Sequence, residues 1–259
     1  MTIHFVKYHG AGNDFIIIDN RIPILLDNHK IANLCNRRFG IGADGLICIH
    51  SGTSDYDFEI KYYNADGYEG SLCGNGSRCA VDFAYKLGIC SSKTHFLAFD
   101  GIHTGEILSH NRISVSMQNV SNIESFSDGY FLNTGSPHFV SFVADIQSFN
   151  VFQKGKLLRE DPRFLNGTNV NFVEELHDSL FVRTYERGVE DETLSCGTGV
   201  TAAAIIYAFH NKLADSEHVV KISTKGGLFD IHFTKTNHHF SNIILEGPVQ
   251  IVFSGEINL

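Results

Sequence analysis

Two cysteines stand out because each heads the same short pattern. The first lies in Asn64-Ala-Asp-Gly-Tyr-Glu-Gly-Ser-Leu-Cys73-Gly-Asn-Gly76, the second in Glu186-Arg-Gly-Val-Glu-Asp-Glu-Thr-Leu-Ser-Cys196-Gly-Thr-Gly199. Each has a polar, acidic approach, then Cys-Gly-(Asn/Thr)-Gly, then a run that reads as helix. A helix start offers unpaired N–H groups and a partial positive charge, which favour a thiolate and hold an anion beside it. The glycines let a ligand come close to the backbone. One such thiol would suit a nucleophile. Two suggest a carboxylate held by both helix starts while one thiolate takes a proton from the adjacent carbon and the other thiol returns one, inverting the centre.

The remaining cysteines, Cys35, Cys48, Cys79 and Cys90, lie in apolar segments and read as small buried hydrophobes. No Cys-x-x-Cys occurs, and His238-His239 has no cysteine nearby, so the spacing gives no structural zinc site. Gly40-Ile-Gly-Ala-Asp-Gly45 matches G-x-G-x-x-G, but a helix precedes it and a strand follows, the reverse of a dinucleotide site. The net charge of −9 and the scattered basic residues argue against a nucleic-acid surface. No apolar run reaches the roughly 18 residues of a membrane span, and the first residues read as a strand without a signal-peptide core. A cytoplasmic protein with reduced thiols is expected.

The elements that must position the two cysteines can be read in order. Residues 3–8 and 15–19 form a hairpin. Asp27 caps a helix expected to run through Phe39. Strands follow near 46–50 and 56–63, then a helix over roughly Ser77 to Leu87, then strands near 95–99, 103–108 and 112–117. The Ser/Asn/Asp-rich residues 119–130 read as a domain boundary. Strands restart at 131–133 and 138–142, with a short helix within 150–161 and strands at 169–174 and 180–185. The helix after Cys196 runs to about Leu213, and its segment 200–209 is apolar almost all round, as in a helix buried on every side. Strands near 218–223, 228–234, 240–245 and 249–253 close the chain. Many short strands joined by turns, with one principal helix per half, fit a curved sheet around a central helix rather than βαβ alternation.

Taken together, the motifs resemble the diaminopimelate epimerases, cofactor-independent two-cysteine amino-acid epimerases, along essentially the whole chain. The matching pieces are His9-Gly-Ala-Gly-Asn-Asp-Phe15, Gly40-Ile-Gly-Ala-Asp44, Tyr63-Asn-Ala-Asp-Gly67, Cys73-Gly-Asn-Gly76 with Arg78-Cys79, Gly135-Ser-Pro-His138, Asn169-Val-Asn-Phe172, Tyr185-Glu-Arg-Gly188, and Glu192-Thr with Cys196-Gly-Thr-Gly199. The resemblance implies an α+β fold of two similar domains, each a barrel-like, antiparallel-rich sheet around a central helix, related by a pseudo-two-fold. The expected domains are 1–118 plus 248–259, carrying Cys73, and 119–247, carrying Cys196. It implies interconversion of LL- and meso-2,6-diaminoheptanedioate in lysine and peptidoglycan-precursor synthesis, in a site between the domains, without pyridoxal phosphate or metal. By the same resemblance Cys73 and Cys196 are the acid/base pair, and His138 and Glu186 tune them. Gly74, Asn75, Gly197 and Thr198 hold the reacting carboxylate, while Asn13, Asn64, Asn169, Glu186 and Arg187 bind the rest of the substrate. A homodimer is left open.

The chain departs from the family pattern at three places. Gly45 stands where many relatives have Gln, and Ser136 where many have Asn. The usual Arg-Gly-x-Gly-Glu-Thr becomes Arg187-Gly-Val-Glu-Asp-Glu-Thr193, one residue longer and more acidic. Two alternatives remain at this point: another two-cysteine racemase, acting for example on proline or hydroxyproline, and a catalytically silent binding protein of the same fold.

Overall fold

The computed structural model describes residues 2–258. Its elements are β1 Thr2–Gly10, β2 Asn13–Asp19, α1 Asn28–Cys35, β3 Gly45–Ser51, β4 Phe58–Asn64, α2 Gly74–Lys86, β5 Lys93–Ala98, β6 Gly101–Ser109 and β7 Arg112–Ser116. These are followed by β8 Ile123–Phe126, β9 Gly129–Asn133, β10 Pro137–Phe142, α3 Val151–Arg159, β11 Asn169–Glu175, β12 Leu180–Glu186 and β13 Asp191–Thr193. Last come α4 Gly197–His210, β14 Glu217–Ser223, β15 Leu228–Thr236, β16 His239–Pro248 and β17 Gln250–Asn258. The chain divides into two compact units, Met1–Val115 with Gly247–Leu259, and Ser116–Glu246.

The two units repeat one topology. In the first, β17–β1 and β1–β2 are antiparallel, β2–β3 parallel, β3–β4 antiparallel, β4–β5 parallel, and β5–β6 and β6–β7 antiparallel. In the second, β8–β9 and β9–β10 are antiparallel, β10–β11 parallel, β11–β12 antiparallel, β12–β14 parallel, and β14–β15 and β15–β16 antiparallel. The strand beside the first hairpin is thus the chain's last strand in one unit and the immediately preceding strand in the other.

The antiparallel-rich sheet expected from the sequence is present, and each unit adds two parallel neighbours to it. Each unit holds two crossovers, through α1 and α2 or through α3 and α4, because parallel neighbours cannot be joined by a hairpin turn. The sheet therefore has helix on both faces. In the first unit α2 packs against β1, β2, β3, β4 and β6, while α1 lies on β3. Ile16 and Ile18 of β2 join Ile31 and Leu34 of α1 in one core layer. Phe15, on the other face, approaches α2 at Gly76. A strand covered on both sides reads as the unbroken Phe15-Ile-Ile-Ile18. The second unit repeats this, with Val151 of α3 in a core layer with Phe139, Val170, Phe172 and Tyr185. There α4 packs against β9 to β12, β14 and β15, and Val200 through Ile206 are all buried, as the apolar run required.

Three local expectations are corrected. Helix α1 stops at Cys35, not Phe39, because Asn36 turns extended and its Oδ1 accepts from the N–H groups of Arg38 and Phe39. Helix α2 starts at Gly74, three residues before the expected Ser77. The Ser/Asn/Asp-rich stretch holds strand β8, and the division between units falls before it. Among the described residues no helix is long and apolar enough to cross a membrane.

Candidate active site

Cys73 and Cys196 are the N-cap residues of α2 and α4 and adopt the same extended backbone, φ −111° and ψ 105° against φ −127° and ψ 116°. This conformation lets each cysteine carbonyl accept the first helical bond, from Ser77 N–H at 2.8 Å and from Val200 N–H at 2.9 Å. Gly74, Asn75 and Gly76, and likewise Gly197, Thr198 and Gly199, form the first turns, whose N–H groups the helix itself leaves unused. In the first unit one of them, Gly76 N–H, points at Cys73 Sγ at 3.4 Å. The third-position glycines leave room for what packs on the helix start, Ile47 at Gly76 and Asn171 at Gly199. A Cβ at Gly199 would sit 3.4 Å from Cys196 Sγ and only 2.4 Å from Asn171 Oδ1.

Around Cys73 the first unit assembles a polar chain. Sγ lies 3.6 Å from Asn13 Oδ1, which also accepts from Asn75 Nδ2 at 3.4 Å. Asn13 Nδ2 donates to Asp44 Oδ2 at 2.7 Å. Asp44 and Asp14 share Arg37, and Lys7 pairs with Asp14 at 2.7 Å. Burial alone would raise the Asp14 carboxyl, but its bonds to Arg37, Lys7 and Asp44 hold it well below the usual carboxylate range. Behind the helix start, the fully buried Arg78 donates to Gly74 O at 3.0 Å and to Asn75 Oδ1 at 2.8 Å. Burial brings its guanidinium down to about 10. Asn64 ends β4 in register with Gly45.

Around Cys196 the second unit builds a different one. Thr198 Oγ1 lies 3.4 Å from Cys196 Sγ and 2.9 Å from His138 Nε2. His138 Nδ1 lies 3.0 Å from Asn171 Nδ2, which also donates to Phe139 O at 3.2 Å, while Asn171 Oδ1 accepts from Thr184 Oγ1 at 2.9 Å. Thr134 Oγ1 donates to Thr198 O at 2.9 Å. Burial, with the nearby Arg187 charge, pushes the His138 imidazole down to about 3, so it is neutral. Asn169 ties two strand ends together, donating to Pro137 O at 3.2 Å and accepting Arg187 N–H at 2.9 Å. Arg187 donates to Asn166 O at 3.0 Å, and the half-buried Glu186 is the last residue of β12.

The family model for diaminopimelate epimerase matches residues 5–123 and 130–252. The chain belongs to the diaminopimelate epimerase family. It is 46% identical to a diaminopimelate epimerase of Flavobacterium psychrophilum, over 97% of this chain and 98% of that one. It is 40% identical to one of Chlorobaculum tepidum, over 96% and 99%. Among solved structures, a phenazine biosynthesis protein of the PhzF family from Bacillus anthracis superposes with a TM-score of 0.81 at 15% identity, covering 100% of both chains. A hydroxyproline epimerase from Agrobacterium vitis does so with a TM-score of 0.75 at 11% identity, over 99% of this chain and 92% of that one. At those identities the likeness shows the fold alone, and that fold is the sheet-rich, two-domain architecture of the diaminopimelate epimerase family.

Two of the three departures from the family pattern have local explanations. A side chain at Gly45 would start 2.5 Å from Tyr62 Cε2, so the Tyr62 ring occupies that place. Ser136 in place of Asn has no structural explanation. In the lengthened acidic loop, Glu190 takes a left-handed φ of 59° and is held by Arg159 at 3.0 Å and by Gly188 N–H at 2.9 Å. Glu192 accepts a two-pronged bond from Arg183 at 2.6 and 2.7 Å, and Lys225 adds a third contact at 2.8 Å. Of the added carboxylates Glu190 is thus anchored by Arg159, while the motif's regular Glu192 is held by Arg183 and Lys225.

Of the other cysteines, Cys35, Cys48 and Cys79 are buried and Cys90 half-buried. Burial pushes the Cys35 and Cys48 thiols up to about 12 and raises Cys79 and Cys90 as well. Sequence reasoning gave no role to Asp44, Arg78 and Asn171, although they lie in the quoted motifs, and passed over Thr134 and Thr184. A signal existed for Asn171: it is a polar residue inside the apolar run Asn169-Val-Asn-Phe-Val173, and it is fully buried.

Proposed function

We propose that this chain interconverts LL- and meso-diaminopimelate, in lysine and peptidoglycan-precursor synthesis in the cytoplasm, by two-base proton transfer between Cys73 and Cys196. One thiolate takes the α-proton and becomes a thiol. The other thiol gives its proton to the opposite face of the carbon and becomes a thiolate, so protons and charge balance over the turnover. The carbanion is stabilised through its carboxylate by the helix-start amides around Gly74, Asn75, Gly197 and Thr198. Neither pyridoxal phosphate nor a metal enters this scheme. Asn13, Asn64, Asn169, Glu186 and Arg187 are assigned to the remainder of the substrate, with Arg187 suited to the distal carboxylate through its planar fork.

The observation that carries this reading is the duplicated cap. Two cysteines far apart in sequence hold the same extended backbone at the same place on two equivalent helices. Identity of 46% over almost the full length supports diaminopimelate rather than proline as the substrate. The test is to assay Cys73→Ala and Cys196→Ala in both directions. Each is expected to lose interconversion of both isomers, and near-normal turnover by either variant would end the two-base scheme.

A further inference from the structure

We infer that Asn171 is a positioning residue that fixes the proton of His138 on Nε2 and thereby turns the Thr198 hydroxyl onto Cys196, so that Cys196 is the thiolate and Cys73 the thiol of the resting pair. This rests on the acid/base role proposed above for the two cysteines. The buried groups from Phe139 to Cys196 have their hydrogen-bonding choices forced one after another. Phe139 O can only accept, so the Asn171 atom 3.2 Å from it is the amide nitrogen. The same nitrogen is 3.0 Å from His138 Nδ1, so that ring nitrogen accepts. Asn171 Oδ1 is satisfied from the other side by Thr184 at 2.9 Å, which locks the amide against flipping. A neutral imidazole with Nδ1 accepting carries its proton on Nε2. Nε2–H then donates to Thr198 Oγ1 at 2.9 Å. The hydroxyl's own proton is left to point at Cys196 Sγ, 3.4 Å away. A sulfur that receives a donor can be a thiol or a thiolate, so the charge on Cys196 is decided by which of the pair must keep its proton.

The first unit imposes the opposite choice. Asp44 is a carboxylate, so Asn13 must present its nitrogen to it at 2.7 Å and its oxygen to Cys73 at 3.6 Å. Asn75 confirms the orientation, since Arg78 holds its oxygen at 2.8 Å and turns its nitrogen toward Asn13 Oδ1. Cys73 therefore faces an acceptor, which calls for S–H. Gly76 N–H can donate to a thiol lone pair as well as to a thiolate and does not decide between them. The two cysteines share a helix-start geometry, but Cys73 lies beside an amide oxygen and Cys196 beside a hydroxyl, so the proton of the pair sits on Cys73 and the charge on Cys196.

The charge assignment is read from the pH midpoint of iodoacetamide alkylation at each cysteine, resolved by peptide mass spectrometry. The midpoint is used rather than the rate because Cys196 is less accessible than Cys73. In the wild-type protein the Cys196 midpoint is expected below that of Cys73. Thr198→Val and Asn171→Leu are expected to raise the Cys196 midpoint by about one pH unit, roughly the worth of one hydrogen bond to a charged group, with Cys73 unmoved. Thr198→Ser, which keeps the hydroxyl, should restore the wild-type midpoint. 15N spectra of the wild-type protein, with His138 assigned through His138→Gln, should show a bare Nδ1 and a protonated Nε2 at neutral pH. A Cys73 midpoint below that of Cys196, an unmoved midpoint in Thr198→Val, or a proton on Nδ1 would each overturn the inference. The midpoint order and the spectra need only folded wild-type protein. Solvent-deuterium exchange into LL-diaminopimelate, measured in parallel, separates the two claims: its absence strikes the function and leaves the charge assignment to the alkylation data.

Discussion

The two motif glycines at the third helical position invite a paired substitution, Gly76→Ala and Gly199→Ala. In Gly199→Ala the new methyl would lie 2.4 Å from Asn171 Oδ1, about 1 Å inside ordinary van der Waals contact. Asn171 has little freedom to retreat, because its amide holds Thr184, Phe139 O and His138 at once. Relief breaks about one buried hydrogen bond, near 1 kcal/mol, on top of roughly 1–3 kcal/mol of overpacking. The better helix propensity of alanine returns up to about 1 kcal/mol. The net expectation is a loss of about 2 kcal/mol. In Gly76→Ala the nearest atom is Ile47 Cδ1 at 2.9 Å, the end of a side chain that can turn, and the next is Phe15 Cε1 at 3.4 Å. Its cost should stay within about 1 kcal/mol. Urea unfolding followed by far-UV circular dichroism suits a chain with no tryptophan. A Gly199→Ala protein as stable as Gly76→Ala would refute the reasoning, since it would mean that Asn171 is not locked.

Other expectations follow from the same contacts. The native His138 imidazole stays neutral to about pH 3, whereas in the unfolded chain it takes a proton near its ordinary 6.5. The unfolded state binds the extra proton between those values, so stability should fall as pH drops through that window, by up to about 1.4 kcal/mol per unit. His138→Gln should flatten the profile there, and an unchanged slope would count against a buried neutral imidazole. Asp44→Asn should cost under about 1 kcal/mol of stability, because its pair with Arg37 is largely exposed. It should still lower kcat/KM about tenfold by freeing the Asn13 amide, and unaltered kinetics would remove Asp44 from the account. Thr134→Val leaves the buried Thr198 carbonyl short of a donor and should cost about 1–2 kcal/mol in the same urea experiment.

Much of this was legible in the chain because the signals are local. A cysteine followed by Gly-x-Gly and an apolar run reads as a capped helix, and both caps form. The hairpin of β1 and β2 and the all-round burial of α4 follow from periodicity alone. What failed was decided at a distance or by a single side chain. Helix α1 lost its last turn to Asn36, whose oxygen competes for backbone N–H groups. Strand β8 sits in a polar stretch and exists because β9 pairs with it. The parallel crossovers depend on which strands become neighbours, which no local pattern states. The polar relay at Cys196 joins residues 13 to 60 positions apart, such as Asn171 with Thr184 and His138 with Thr198. Only its chemistry, a buried polar group that must find partners, hints at it.

The central claim is cofactor-free removal and return of an α-proton by two thiols, and hydrogen exchange at that carbon tests it most directly. Reduced protein in D2O with LL-diaminopimelate and no added cofactor should place deuterium at one α-carbon as the meso isomer forms, and Cys73→Ala or Cys196→Ala should stop that conversion. Reduced, folded wild-type protein that leaves the α-hydrogens of LL-diaminopimelate untouched would contradict the account.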